Sequence, residues 1–447
     1  MAREEDPRAF DRQVVLLALP ALGAILAEPL YALADTAIVG HLGPGNLDAL
    51  AVAGTALSLI GWMAAFLTTA TTSKVAHRVA GGDVLGASRS AGAAYLVAVM
   101  LGAISAVVIW LLAPALAVLI GGHVSTFGQS INYLRLSSLG LPFLFVAFAG
   151  SGHLVGQHDT MSPLRIVIAA NVVNVGLELI LVFGVGLGLR GSAIGTVGAQ
   201  FLAAVAFLLT SWHRSLSGPP RWPYRNEVNK LLRDGMTLSI RTLAVGGVFV
   251  VATATASRLG AVQLAGHQIA LRVWLFLALA LDALAVPAQV FVSAAMGRED
   301  AEGAVEVGDR VLRLGLLVGL ALGFVDLAAA WLAPALFTSQ PAVRHAAWIA
   351  LVIGAPLLPL AAGAFVFDGL ILGLADYSTL RTSMLIALAV FIPVAGLVDR
   401  FHWLGLAVLW IGMGIWLASR TLLLRRCWND VPAGRSRGAG SSRCRAN

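Results

Sequence analysis

Residues 101–119 read LGAISAVVIWLLAPALAVL, a run with no charged side chain, and residues 314–336 read LGLLVGLALGFVDLAAAWLAPAL, with Asp326 as the only charge. A helix needs about 20 apolar residues to cross a hydrocarbon core of roughly 30 Å. Both runs have that length, and both contain LAPAL, at 112–116 and 332–336. Working outward from them, the chain supplies twelve such runs, at 14–40, 47–72, 91–113, 131–155, 164–187, 192–212, 236–257, 264–296, 311–333, 346–372, 382–398 and 403–424. A membrane β-barrel would instead show segments of about ten residues with alternating polarity, which these runs lack. Hydrophobic residues make up 58% of the 447 and charged residues 12%, with a mean hydropathy of +0.85, too apolar a chain to present a polar surface to water. The fold class that follows is an all-α membrane protein with twelve transmembrane helices.

The second half repeats the first at an offset of 217 residues. VAHRVAGGDVLGA (75–87) lies over VSAAMGREDAEGA (292–304), and SGHLVGQHD (151–159) over DGLILGLAD (368–376). HLG (41–43) echoes RLG (258–260), and Pro142 echoes Pro359. Any one of these matches could arise by chance in apolar sequence; their order argues for a duplication. Six crossings per half bring both halves in from the same side, so the repeats are parallel, and two like lobes across a central cavity suit rocking between inward-open and outward-open states. The domains expected are a cytoplasmic N-terminus (1–13), an N-lobe (14–212), a cytoplasmic linker (213–235), a C-lobe (236–424) and a basic, disordered cytoplasmic tail (425–447).

Orientation follows from the basic residues. With the N-terminus cytoplasmic, about 24 lysines and arginines fall on the cytoplasmic side, against 4 (Arg190, Arg258, Arg344 and Arg400) on the other. Both termini are then cytoplasmic and the chain is a multi-pass protein of the inner or plasma membrane. The formal charge of +7 is explained by this bias, without nucleic acid as a partner. The polar N-terminal segment and the length of the first apolar run do not read as a cleaved leader. The two cysteines, Cys427 and Cys444, have no metal-type spacing.

A charge at the centre of a lone spanning helix costs about 2.5–3.5 kcal/mol, so each intramembrane ionisable residue calls for a reason. In the first half these are Asp35, Glu178 and Arg135, with Glu28 nearer the edge; in the second, Arg272, Asp282, Asp326 and Asp368. Asn171, Asn174 and Glu178 form one stripe on the fifth run, and Thr196 and Gln200 are one turn apart on the sixth. Pro20 precedes Asp35 by about four turns on the first run and can bend it. Two carboxylates with amide and hydroxyl oxygens nearby suit a proton or a hard cation such as Na⁺, and burial and mutual repulsion disfavour having both charged at once. The alternative is that these groups only tie runs one, five and six together by hydrogen bonds, as isolated Asn and Thr commonly do. For Asp35 and Glu178 the larger cost of a buried carboxylate favours the functional role. In the second half Gln268, Arg272, Asp282 and Asp368 make a possible polar site, in which Arg272 could simply pair with Asp282 or Asp368; Arg135 reads as interfacial, and Asp326 has no assigned role.

PLYALADTAIVGHLG (29–43), NVVNVGLELILVFG (171–184) and GSAIGTVGAQ (191–200), within the duplicated chain, resemble the multidrug and toxic compound extrusion (MATE) family, in its DinF-like branch. The resemblance runs over nearly all of 14–424. It implies two six-helix lobes around a V-shaped cleft and export of amphipathic, often cationic compounds in exchange for Na⁺ or H⁺. By motif, Asp35 corresponds to the family's acid on span one, Pro20 to its proline there, Asn174 and Glu178 to its Asn and acid four apart on span five, and Thr196 to its threonine on span six. Asn171 and Gln200 fall to supporting or gating roles. Na⁺ would sit among Asp35, Asn174, Glu178 and Thr196. The span-five acid is Glu here where that branch often has Asp, which leaves the ion open. LALALDALA (277–285) and FDGLILGLAD (367–376) also look DinF-like, whereas span seven lacks an acid that other branches carry, so the coupling site falls in the first lobe.

Other classes fit less well. A flippase for lipid-linked precursors shares the lobed design but calls for a cavity rich in arginine. An intramembrane enzyme calls for a catalytic constellation, and neither HExxH nor GxSxG occurs within the apolar runs. Lys74 and Lys230 are the only lysines and neither lies in a phosphate loop, so an ion gradient is the expected energy source, at about 2.3 kcal/mol per charge and 100 mV. The expectation is a cofactor-free transporter, monomeric, working on small amphipathic molecules within membrane lipid.

Overall fold

A computed structural model of the chain describes residues 7–120, 126–213, 216, 219–401 and 405–431. The basic tail beyond 431, with Cys444, and Arg214 of the linker lie outside the described residues. Every regular element among them is helical: α1 (Pro7–Gly40), α2 (Pro44–Ala64), α3 (Phe66–Ala80), α4 (Val84–Leu119), α5 (Phe127–Ser138), α6 (Leu141–Val155), α7 (Met161–Leu179) with a π turn (Ile180–Gly184), α8 (Leu189–His213), α9 (Arg225–Arg258), α10 (Ala261–Gly297), α11 (Ala301–Phe337), α12 (Pro341–Gly354), α13 (Leu357–Gly373), α14 (Tyr377–Arg400) and α15 (Gly405–Asn429). Ten segments are long and apolar enough to span a bilayer, α2 and α3 together counting as one, and two further pairs, α5 with α6 and α12 with α13, bring the number to twelve. Each apolar run of the sequence thus has its helix or helix pair.

The fourth and tenth spans differ from the sequence reading in being bent, by 45° and 53°. The physical cause is local. Pro142 and Pro356 have no N–H to offer the carbonyl one turn back, so the helical ladder breaks there. α9 also starts at Arg225 rather than at Met236, because the polar residues after the SGPPRWPY stretch are good helix formers that extend the apolar span toward water.

The duplication holds at the level of single contacts. Gly86 N donates to Asp83 Oδ1 at 2.8 Å, capping α4, and Gly303 N donates to Asp300 Oδ1 at 2.8 Å, capping α11. Asp159 and Asp376 likewise accept from Ser162 N (2.9 Å) and Thr379 N (3.1 Å). Gly43 and Gly260, both at strongly positive φ (102° and 110°), precede α2 and α10. Gly152 packs on the backbone of Thr68 as Gly369 packs on that of Ala285, so that a Cβ on either would lie 2.9 Å from the facing Cα.

The chain forms two compact units, an N-lobe unit (Gly23–Ser239) and a C-lobe unit (Met1–Leu22 with Ile240–Asn447). Where the sequence divides the lobes in the linker 213–235, these units divide within helices, at points 217 residues apart. α1 begins in the C-lobe unit, where Phe10 packs on Phe291 (ring centroids 5.4 Å apart) under the guanidinium of Arg310. α9 begins in the N-lobe unit, held by Lys74–Asp234 and Arg78–Glu227 ion pairs, both 2.8 Å, and by Ser239 Oγ donating to Met63 O. Within the C-lobe unit the core is aromatic, built on Trp274, Phe391, Trp410 and Trp416; in the N-lobe unit Leu67, Leu134, Leu154 and Phe207 are fully enclosed. Large apolar side chains such as Leu111, Leu119, Leu317 and Phe324 point outward, as expected of surfaces that meet hydrocarbon rather than water.

Candidate ion-coupling site

α1, α7 and α8 bring the N-lobe acids together. On α1, Tyr31 and Asp35 are one turn apart; on α7, Asn171, Asn174 and Glu178 share a face; on α8, Ser192 and Thr196 are one turn apart. Ser192 Oγ donates to Asp35 Oδ1 at 2.9 Å, and Thr196 Oγ1 and Tyr31 OH each reach Glu178 Oε1 at 3.3 Å. Tyr31 OH and Thr196 Oγ1 are themselves 3.0 Å apart, and Tyr133 OH lies 3.4 Å from Ser192 Oγ. The Asp35 and Glu178 carboxyls are within hydrogen-bonding reach of each other. A carboxylate has no donor of its own, so a hydrogen bond between the two requires a proton on one of them. Asp35 is 7% exposed and Glu178 0%, enclosed enough to lose most of their hydration.

Backbone geometry sets this approach. Gly195 lets α8 close on α7, and a Cβ there would sit 3.1 Å from Glu178 Cγ. Asn171 Nδ2 donates to Ala27 O at 3.0 Å, fastening α7 to α1 two turns before Asp35. The π turn Ile180–Gly184 begins two residues after Glu178, a local irregularity of the kind that often accompanies functional positions in helices. Asn174 Oδ1 and Glu178 Oε2 are buried with no hydrogen-bond donor, so oxygen acceptors remain free in the site.

Of the residues singled out from the sequence, Asp35, Glu178 and Thr196 meet, with Asn174 buried on the same helix face one turn from Glu178. Asn171 acts as a tie. Gln200 lies away from the pair, its Oε1 lodged against Gly140 at the bend of span four. Pro20 belongs to the C-lobe unit, and α1 runs through it as one helix. Sequence reasoning missed Tyr31, Ser192 and Tyr133; the signal was there for the first two, since each is four residues before Asp35 or Thr196.

In the C-lobe unit Asp368 is buried on α13 and bound by two guanidiniums, Arg241 of α9 at 2.5 Å and Arg420 of α15. Asp282 of α10 acts electrostatically on the same group. The pairing expected of Arg272 is therefore corrected: Arg241 and Arg420 hold Asp368, while Arg272 is exposed, with no ion pair among the described residues, and Gln268 is half-buried one turn from it. Arg420 also lies over the rings of Phe365 (5.4 Å) and Trp416 (5.7 Å). Asp368 against the two guanidiniums makes an ionic knot of the kind that holds helices in register, while Asp282 is exposed and makes no ion pair among the described residues. Arg241 was counted among loop charges because it lies near the start of a span; Arg420 lies inside the twelfth apolar run, which was the signal available.

The model of the MatE family matches residues 20–180 and again residues 238–397, once per repeat. The chain belongs to the MatE family. Protein DETOXIFICATION 44, chloroplastic, from Arabidopsis thaliana is 32% identical over 422 residues, covering 91% of this chain and 80% of that protein. DNA damage-inducible protein F of Escherichia coli (strain K12) is 27% identical over 424 residues, covering 94% and 92%. Among solved structures, MATE in the bent conformation superposes with a TM-score of 0.89 at 20% identity, covering 97% of this chain and 98% of that one, a likeness of fold. As a MATE-family protein the chain is a multi-span membrane transporter, all-helical and built on a two-lobe repeat.

Proposed function

We propose that this chain is a secondary antiporter that exports amphipathic, cationic compounds in exchange for H⁺, with Asp35 and Glu178 as the coupling site. The observation that carries the reading is the pair of enclosed, neighbouring carboxyls to whose oxygens Ser192, Thr196 and Tyr31 donate, which we read as holding one proton between them. Removing that proton leaves two like charges side by side. At a separation of about 4 Å and an effective dielectric of about 20 they repel by about 4 kcal/mol. Such a force separates α1 from α7 and α8, so proton loading and unloading bias the shape of the N-lobe unit. Substrate bound to one shape is displaced when the site passes to the other.

A second reading takes Na⁺ in place of H⁺. It is favoured by the free Asn174 Oδ1 and Glu178 Oε2, since a hard cation binds oxygen acceptors that carry no donor. Lipid flipping is less well supported: two arginines in the C-lobe unit bind Asp368, leaving Arg272 as an exposed cation. The basic bias of the loops supports an inner- or plasma-membrane protein with both termini cytoplasmic.

The test is transport in sealed vesicles of purified protein, with a pH gradient and a sodium gradient imposed separately and a panel of fluorescent cations as cargo. Uphill movement driven by the pH gradient alone supports H⁺ exchange; movement driven by sodium alone transfers the role to Na⁺. A lipid-linked cargo moved in place of the cations would overturn both readings.

A further inference from the structure

The C-lobe unit encloses an acid that the site above does not use. Asp326 of α11 is 0% exposed, neither of its carboxyl oxygens has a hydrogen-bond partner, and no charged group acts on it. A Cβ built on Gly354, the last residue of α12, would lie 3.2 Å from Asp326 Oδ2, 3.1 Å from Trp410 Cζ3 and 3.5 Å from Trp274 Cδ1, the carbon bonded to the indole nitrogen. Acid and indoles therefore converge on Gly354. Trp274 and Trp410 are buried and their N–H groups have no acceptor. His267 of α10 packs on Trp410, centroids 5.9 Å apart, and its Nδ1 is also without a partner.

His267 is a titratable side chain in contact with this group of indoles. On α12, Arg344 is taken up by Thr338 O and His345 stacks on Trp348. The nearest charges of α13 and α15, Asp368 and Arg420, bind each other.

An ionised carboxylate in such surroundings costs several kcal/mol, whereas a neutral carboxylic acid does not incur that penalty. Orphaned buried donors cost about 1–3 kcal/mol each, and an anion would draw the indole N–H groups more strongly than the neutral acid does. The surroundings thus carry parts for both forms. The carboxyl also lies beside the 53° bend between α12 and α13, where a methyl group added at Gly354 would press on it.

We propose that Asp326 is a second proton-binding site, lying wholly within the C-lobe unit, loaded in this conformation and emptied when span ten shifts at the bend beside its carboxyl. It rests on the antiport reading only for its consequence, that each unit contributes a proton to the cycle; the site itself is tested without transport. Infrared difference spectra of the full-length protein in bilayers, titrated from mildly acidic to strongly alkaline, should contain a carboxylic-acid carbonyl band that is missing in Asp326→Asn, converts to carboxylate as the pH rises, and changes frequency in Gly354→Ala. Should Asp326→Asn fail to fold, Asp326→Glu supplies the assignment through a displaced band. Absence of an assignable acid band at every pH, or a band indifferent to both pH and Gly354→Ala, would overturn the proposal.

Discussion

Replacing Asp35 by Asn keeps the shape of the side chain and removes one charge. Ser192 Oγ still finds an acceptor in the new Oδ1, and the carboxamide N–H₂ supplies a donor for Glu178 Oε2, which has none among the described residues. The fold should therefore survive with a change of about 1 kcal/mol, the scale of one altered hydrogen bond. Coupling should not survive. With a neutral partner, deprotonated Glu178 faces no repulsion, and the bias of about 4 kcal/mol between the two shapes of the site disappears. At about 1.4 kcal/mol per factor of ten, that is a shift of roughly a thousandfold in the equilibrium the ion controls. In proteoliposomes with an imposed pH gradient, uphill efflux of a fluorescent cation should fall to the level of empty vesicles, with normal insertion and thermal stability. Efflux at the wild-type rate would refute the reasoning, because the term that links proton to shape would then be dispensable.

Two further substitutions separate structure from coupling. Asp368→Asn leaves Arg420 buried with its main counter-charge gone and should lower stability by about 3–5 kcal/mol, read as a drop in melting temperature in detergent; an unchanged melting temperature would remove the ionic knot from the account. Gly152→Ala and Gly369→Ala each drive a methyl group onto a facing backbone, 2.9 Å from Thr68 Cα or Ala285 Cα, and should each destabilise by about 1–3 kcal/mol. Comparable losses are expected, since the duplication repeats the contact; a loss at only one of the two positions would break that equivalence.

The helices and their duplication were legible because each depends on quantities the sequence carries directly, the length of an apolar run and a constant offset. The offset even places the paired caps at Asp83 and Asp300. Asn174, Glu178 and Thr196 could be read because polar groups at helical spacing stand out against an apolar background. Tyr31 and Ser192 could not be ranked above other hydroxyls in the spans, since a helix that is apolar all round does not announce which face turns inward. Arg241 escapes for a different reason: near a span start a basic residue reads as a loop charge, and only packing shows that it turns back to Asp368, where Arg420 from inside the twelfth run joins it. Asp326 was visible as an acid, but its indole surroundings come from three helices far apart in sequence. The starts of α1 and α9 read as parts of their own halves, and their membership in the opposite compact units is a property of packing.

The central claim is that Asp35 and Glu178 bind and release the coupling proton. Purified protein in weakly buffered solution, followed with a pH indicator while a transported cation is added, measures that proton directly. Release from the wild type, and none from Asp35→Asn combined with Glu178→Gln, is the result expected. An equal release from both would contradict the claim and move the coupling proton elsewhere in the chain.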